Sequence, residues 1–166
     1  MAFFIFKIMK QSTHMDFESA THNLDIVVVC DELESPANIG GVLRLADAFG
    51  VSEVVFLGGN QHLSPRAKSV SRGTEKYLDY RFAEKIDFDE RDWFCLELSS
   101  TSKPIRNFSL TSQKVGVVIG NENKGVREQF LSLFPSFHIP MFGNNSSMNV
   151  TSALSATLFH LTGLNQ

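Results

Sequence analysis

"DIVVVCDELESPANIGGVLRLADAFG", residues 25–50, decides the fold. From Ile26 to Cys30 the run is unbroken, apolar and mostly β-branched. A strand with one wet face would alternate polar and apolar, so this run suits a strand buried on both faces. The loop "DELESPA" follows, and the period then changes. Ile39, Val42, Leu43, Ala46 and Phe49 recur at helical spacing. Asn38 is placed to cap that helix and Gly50 to stop it. Strand, loop and helix in this order form the repeating unit of an α/β sheet.

The same signals recur on the C-terminal side. "EVVFLGG" (53–59) is a second buried strand, and Ser64-Pro65 opens a helix, with Ser64 as N-cap and Pro65 at the first helical position. Further strands are expected near "YLDYRF", at 92–98 ("DWFCLEL"), at 114–120 ("KVGVVIG") and at 137–140 ("FHIP"). A helix is expected at 126–134 and another from Asn149 onward. The expectation is a mainly parallel α/β sheet with helices on both faces. With 166 residues and no internal repeat or low-complexity linker, a single domain over 25–166 is expected. Residues 1–24 form an N-terminal extension, in which Met9 and Met15 are alternative starts. The opening "MAFFIFKIMK" has neither a basic n-region nor a small-residue cleavage site, which argues against a signal peptide.

Composition excludes several classes. No apolar run reaches the roughly 18 residues of a membrane span. The two cysteines, Cys30 and Cys95, lie in predicted strands, and no CxxC or Cys/His cluster suggests a metal. Reduced buried thiols point to a cytoplasmic chain. A net charge of −3 argues against a generally basic nucleic-acid binder. One stretch departs from it: "RAKSVSRGTEK" (66–76) holds Arg66, Lys68, Arg72 and Lys76 against the single Glu75. It is either a solvated charged segment or a phosphate-binding patch.

In open α/β sheets ligands bind beyond the carboxyl ends of the strands, so the post-strand segments carry the chemistry. After the first strand come Asn38 and Arg44; Arg44 falls roughly opposite the apolar stripe and points away from the local core. After 114–120 comes "GNENKG", a tight turn whose glycines let a ligand approach free backbone N–H groups. It matches neither GxxxxGK[ST] nor GxGxxG, which disfavours an ATP or nicotinamide phosphate site. After 137–140 comes "IPMFGNNSSMNVTSALSATLF" (139–159), without one charged residue. Asn144, Asn145, Ser146, Ser147 and Asn149 offer neutral donors and acceptors there, suited to capping a helix or holding a neutral or zwitterionic ligand. His138 and His160 read as packed or surface residues, and "DFDERD" (87–92) as an exposed charged turn. No Ser-His-Asp set accompanies a G-x-S-x-G elbow.

Taken together and in order, "NIGGVLRLADAFGV", "VVIGNENKGV" and "IPMFGNNSSMNVTSALSATLF" resemble the three motifs of the SpoU (TrmH-like) branch of the SPOUT RNA methyltransferases. "SVSRGTEKYLDY" resembles that branch too, and the likeness runs over roughly residues 25–162. The resemblance implies S-adenosyl-L-methionine-dependent methylation of a ribose 2′-OH in tRNA or rRNA. It also implies a C-terminal deep trefoil knot and a homodimer with the cofactor held in the knot. Asn38, Arg44, Glu122, Ser147 and Asn149 match the catalytic positions; Leu98, Gly120, Ile139, Ser147 and Met148 match the cofactor positions. Arg66, Lys68, Arg72, Lys76, Lys124 and Arg127 are the expected RNA contacts. The shortest members of that branch, made of the catalytic domain alone, act on tRNA, so tRNA is favoured over rRNA. A non-catalytic RNA-binding dimer of the same fold, or a base-directed enzyme, is the alternative. The uncharged 139–159 stretch is then expected to be largely buried, by ligand on one side and a partner chain on the other.

Overall fold

A computed structural model describes residues 20–59, 61–145 and 147–163. Residues 1–19 of the expected extension, with Met9 and Met15, and Ser146 of the neutral run lie outside the described residues. In chain order the elements are β1 (Asp25–Asp31), α1 (Pro36–Ala48), β2 (Glu53–Leu57), α2 (Pro65–Ser71), β3 (Tyr80–Ala83), β4 (Asp92–Leu96), β5 (Lys103–Pro104), β6 (Lys114–Ile119), α3 (Glu128–Leu131), β7 (Ser136–His138) and α4 (Val150–Gly163). The strands form one sheet in the order β3-β2-β1-β6-β4-β7-β5, and every strand pair is parallel.

The apolar run that opens the sequence is the central strand. Ile26, Val28 and Cys30 pack with Val42, Leu43 and Ala46 of α1 and Leu154, Leu158 and Leu161 of α4. Val27 and Val29 face the other way, toward Trp93, Val126 and Phe130. Alternate residues of β1 therefore serve two cores, which is why no polar residue interrupts it.

Helices do lie on both faces, but unequally. Residues of α1, α2 and α4 cover one face; on the other the four-residue α3 is supplemented by aromatic side chains. Phe88 meets Trp93 and Phe134 edge-on, each at 4.8 Å between centroids. Trp93 lies against Gly116, where an added Cβ would fall 2.0 Å from its ring. Among the described residues no helix is long and apolar enough to cross a membrane.

Three local expectations are corrected. Ser35 takes the N-cap position of α1 without a side-chain bond, with Pro36 in the first turn, so Asn38 lies inside the helix and its side chain is free for another use. Helix α3 is shorter than 126–134 because carboxylates hold its lead-in: Val126 N donates to Glu97 Oε2 at 2.9 Å and Arg127 N to Asp31 Oδ2 at 2.8 Å. "DFDERD" is a strap rather than a loose charged turn. Arg91 is mostly buried, donating to both oxygens of Asp89 at 2.6 Å and to Asp25 O at 3.3 Å. Just before β1, Leu24 belongs to the core and the His22 ring bonds Phe49 O at 2.7 Å. Leu24 N donates to His22 Nδ1, which fixes Nε2 as the protonated nitrogen. Strand β5 was not foreseen; two residues carry no periodicity to read.

Other expectations are met. Ser64 caps α2, accepting from Ala67 N at 3.2 Å, and Gly50 follows α1 at φ +62°. Asn149 Oδ1 accepts from Thr151 N at 2.9 Å and so begins α4.

Candidate active site

Strands β4, β6 and β7 end on the same edge of the sheet, and the segments that follow them enclose a cleft of about 510 Å³. One wall is Leu96–Leu98 at the end of β4. The second is the turn Gly120–Gly125 after β6. The third runs from His138 and Ile139 to Ser147, Met148, Asn149 and Ala153. All five expected cofactor positions, Leu98, Gly120, Ile139, Ser147 and Met148, line this one cleft. Leu98 and Met148 remain 51% and 40% exposed in it. Apolar side chains left wet beside backbone donors and acceptors suit a flat heteroaromatic ligand.

The turn after β6 is preformed by its own chain. Asn121 N and Gly125 N each bond the other's carbonyl, at 3.1 and 2.9 Å. Asn121 Oδ1 accepts from Asn123 N and Lys124 N, while its Nδ2 donates to Glu32 O at 2.7 Å. A Cβ on Gly120 would lie 2.1 Å from Gly125 C and 2.2 Å from Val126 N. Gly120 is thus demanded by closure of the turn, not by the approach of a ligand as its sequence position suggested. Gly125 takes φ +70°, with Glu97 Oε2 2.5 Å from where its Cβ would be.

The three post-strand segments are bonded to one another. Glu122 Oε1 accepts from Asn38 Nδ2 at 2.8 Å and from Ser35 N at 2.9 Å; Oε2 accepts from Glu34 N at 3.3 Å. Asn38 Oδ1 in turn accepts from Asn149 Nδ2 at 3.2 Å. Burial opposes ionisation of Glu122, but the donors of Asn38, Ser35 and Glu34 outweigh it and hold the carboxyl below its ordinary range. At neutral pH this carboxylate is an acceptor that joins α1 to the turn.

Arg44 stands apart from this group. It lies on α1, exposed, as its place opposite the apolar stripe foretold, and it is not among the residues of the cleft wall. The expected RNA contacts divide. Arg66, Lys68, Arg72, Lys76 and Lys124 are exposed, whereas Arg127 is engaged. Its guanidinium pairs with the fully buried Asp31 at 2.6 Å and with Glu32 at 3.3 Å, and it lies over the Phe130 ring at 5.3 Å. Arg127 is therefore already paired, unlike the other five among the described residues, although its side chain stays 38% exposed.

Sequence reasoning missed Glu97 and read His138 as a packed or surface residue. Glu97 is the residue directly after β4 and caps the turn through Val126 N; its post-strand position was the available signal. His138 Nδ1 bonds Ser102 Oγ at 2.8 Å on the cleft side of β7. Two carboxylates thus border a cleft whose third wall is uncharged. Within one chain the uncharged stretch is only partly buried. Leu154, Thr157, Leu158 and Leu161 are buried, but Phe142, Met148 and Phe159 are exposed. Among the described residues no group of three His, Cys, Asp or Glu could hold a metal ion.

The chain is similar to known proteins in sequence and in fold. A TrmH-family tRNA/rRNA methyltransferase assignment belongs to a Staphylococcus epidermidis protein that is 28% identical over 144 residues, 81% of this chain and 57% of that protein. The chain thus spans less than two thirds of that relative's length. The tRNA (guanosine(18)-2′-O)-methyltransferase of Thermus thermophilus is 28% identical over 142 residues, 81% of this chain and 73% of the relative. An AdoMet-bound rRNA methyltransferase from Sinorhizobium meliloti superposes with a TM-score of 0.75 at 23% identity, covering 90% of this chain and 59% of that one. The SpoU rRNA Methylase family matches residues 25–159, and with the fold and the three joined segments in place, the chain belongs to that family.

Proposed function

We propose that the chain is the catalytic domain of an S-adenosyl-L-methionine-dependent RNA methyltransferase that modifies a ribose 2′-OH, with tRNA favoured over rRNA as substrate. The observation that carries this reading is the cleft itself, which gathers the five cofactor positions and is tied through Glu122 and Asn149 to α1. Its volume lies within the range of small-molecule sites, and its exposed Leu98 and Met148 fit an adenine between backbone groups. The Thermus relative, named for 2′-O-methylation of tRNA, supports the finer substrate.

S-adenosyl-L-methionine, when bound, supplies an electrophilic methyl. The chain's own residues would do the rest. Leu98, Gly120, Ile139, Ser147 and Met148 hold the cofactor. Asn38, Glu122 and Asn149 fix the walls relative to α1, so that attack over about 3–3.5 Å is oriented. The Arg44 guanidinium, a planar fork of donors, binds a phosphate or polarises the ribose oxygen and does not serve as base. Ser147 or the RNA phosphate would share in the proton transfer, the hydroxyl passing its own proton on as it takes the ribose proton.

The assembly belongs to the same reading. Strand β7 lies between β4 and β5, both earlier in the chain. Helix α4, which comes after β7, packs on α1. That path supports the deep trefoil knot of the family. The exposed Phe142 and Phe159 support a homodimer closing over the uncharged segment. Free buried cysteines fit a cytoplasmic location.

Transfer of tritiated methyl to total tRNA, followed by nuclease digestion and mass spectrometry, tests the proposal. A 2′-O-methylnucleoside is the expected product. A methylated base, or S-adenosyl-L-methionine binding without transfer to tRNA or rRNA, refutes it.

A further inference from the structure

The exposed cations of residues 66–76 are followed directly in the chain by an aromatic ring that the methyl-transfer chemistry does not use. Tyr77 is 85% exposed, although an aromatic side chain gains most by burial. Its backbone is fixed. Tyr77 N donates to Thr74 O at 3.0 Å, Thr74 Oγ1 to Ser71 O at 2.9 Å, and the Ser71 hydroxyl sits between Lys68 O and the Glu75 carboxylate. Arg72 at φ +57° and Gly73 at φ +90° make the sharp turn that leads into this segment. Glu75, the one acid of the stretch, bonds Ser71. Among the described residues Arg66, Lys68, Arg72 and Lys76 enter no ion pair. The segment is anchored to the helix that carries Asn38 and Arg44: α1 packs on α2 and on the turn 74–76, and a Cβ on Gly40 would fall 2.4 Å from Ala67 O.

We propose that Tyr77 is a stacking platform for an unpaired nucleobase of the RNA substrate, with Arg66, Lys68, Arg72 and Lys76 holding the flanking phosphates. The inference rests on the RNA-directed reading above and narrows the substrate class. A base inside an A-form helix has both faces occupied by its neighbours, so only an unpaired, unstacked nucleotide can lie on an exposed ring. Stacking accepts any base, since each offers a π-face. Phosphate contacts from the cations fix the register without reading sequence. The platform is rigid with α1, so a base seated on it sets the strand's position relative to Arg44.

The test uses the full chain and two fluorescein-labelled probes, an unstructured 12-nucleotide RNA and a blunt 12-base-pair RNA duplex, read by anisotropy. Tyr77→Ala is expected to weaken the single strand about tenfold and to leave the duplex unchanged, and Tyr77→Trp to restore single-strand binding. An Arg72→Ala, Lys76→Ala double variant should weaken both probes and flatten the salt dependence. Single-strand affinity of Tyr77→Ala within twofold of the parent, or equal loss on both probes, overturns the platform. So does a change in sedimentation on Tyr77→Ala, which would assign the ring to a protein interface. The two readings fail separately: a chain that methylates RNA but ignores Tyr77→Ala loses only the platform, whereas a chain that methylates no RNA loses the proposed function.

Discussion

Asn38 Nδ2 donates to Glu122 Oε1 at 2.8 Å, a bond between residues 84 positions apart in the chain. It joins the helix after β1 to the turn after β6. Because Asn38 Oδ1 accepts from Asn149, one amide holds three segments that no single element connects. Asn38 is buried, so its amide left without a partner carries a desolvation cost of about 1–3 kcal/mol, whereas the exposed Glu122 can turn to water.

Coupling between these two residues is the first expected outcome. Asn38→Ala and Glu122→Ala should each lower the urea midpoint, and the double variant should cost less than their sum by about 0.5–3 kcal/mol. Strict additivity would show that the bond contributes nothing. Glu122→Gln should not substitute for the carboxylate, because three donors converge on it and an amide offers one acceptor oxygen.

The pH dependence has a definite sign. The Glu122 carboxyl is lowered in the folded chain from an ordinary value of 4.5. Its contribution is then fully present above that value and is lost as pH falls through the folded one. The stability gap between the parent and Glu122→Gln should be flat from pH 7 to about pH 5 and close at lower pH. Denaturant titrations across pH 3–7 measure it, and a gap that widens on acidification contradicts the assignment.

Gly120→Ala should open the cofactor turn, because the new methyl meets the backbone of Gly125 and Val126 at 2.1–2.2 Å. Overpacking of this kind costs about 1–3 kcal/mol. Affinity for S-adenosyl-L-methionine by calorimetry should fall at least about tenfold, the equivalent of 1.4 kcal/mol. Gly143→Ala, with nothing within 4 Å of the added carbon, should leave the urea midpoint unchanged. Parent-like cofactor affinity in Gly120→Ala would show that the turn is loose.

Much of the fold was legible because burial wrote it in plain form. A strand serving two cores, like β1, cannot hide its apolar run, and Ser64-Pro65 and Gly50 punctuate helices by local rules alone. The cleft was legible as post-strand positions because a parallel sheet presents its carboxyl ends together. What stayed hidden depends on pairings between distant residues. The carboxylates of Asp31 and Glu97 bond amides 96 and 29 residues away, and nothing near either residue announces it. The pairing of Arg127 is hidden for the same reason: in sequence a cation beside Lys124 looks solvated, and only the fold supplies its buried partner. The cap of α1 was a local error, in which Ser35-Pro36 outweighs Asn38 because proline's fixed φ suits the first turn.

The two thiols should be inert in the native chain. Burial pushes Cys95 up to about 12, and burial, with Glu122 and Asp31 nearby, raises Cys30 further. A thiol reacts as its thiolate, so neither is activated at neutral pH. Native protein should give no fast reaction with a disulfide reagent, and urea-unfolded protein should titrate two thiols. A rapid native equivalent would mean that the sheet opens locally at β1 or β4.

Arg127→Ala separates structure from RNA binding at one residue. Asp31 is fully buried between β1 and the start of α3, and its carboxylate has the Arg127 side chain and the Arg127 N–H as partners. Removing one member of a buried pair costs about 3–5 kcal/mol. Here the guanidinium is 38% exposed and the backbone donor survives, so a loss of about 2–3 kcal/mol is expected. Asp31→Asn should cost a comparable amount and leave RNA affinity unaltered once both variants are compared below their melting transitions. The slope of RNA affinity against salt should be the same for Arg127→Ala as for the parent, because no phosphate contact is lost. A flatter slope with unchanged stability would return Arg127 to the RNA-binding surface.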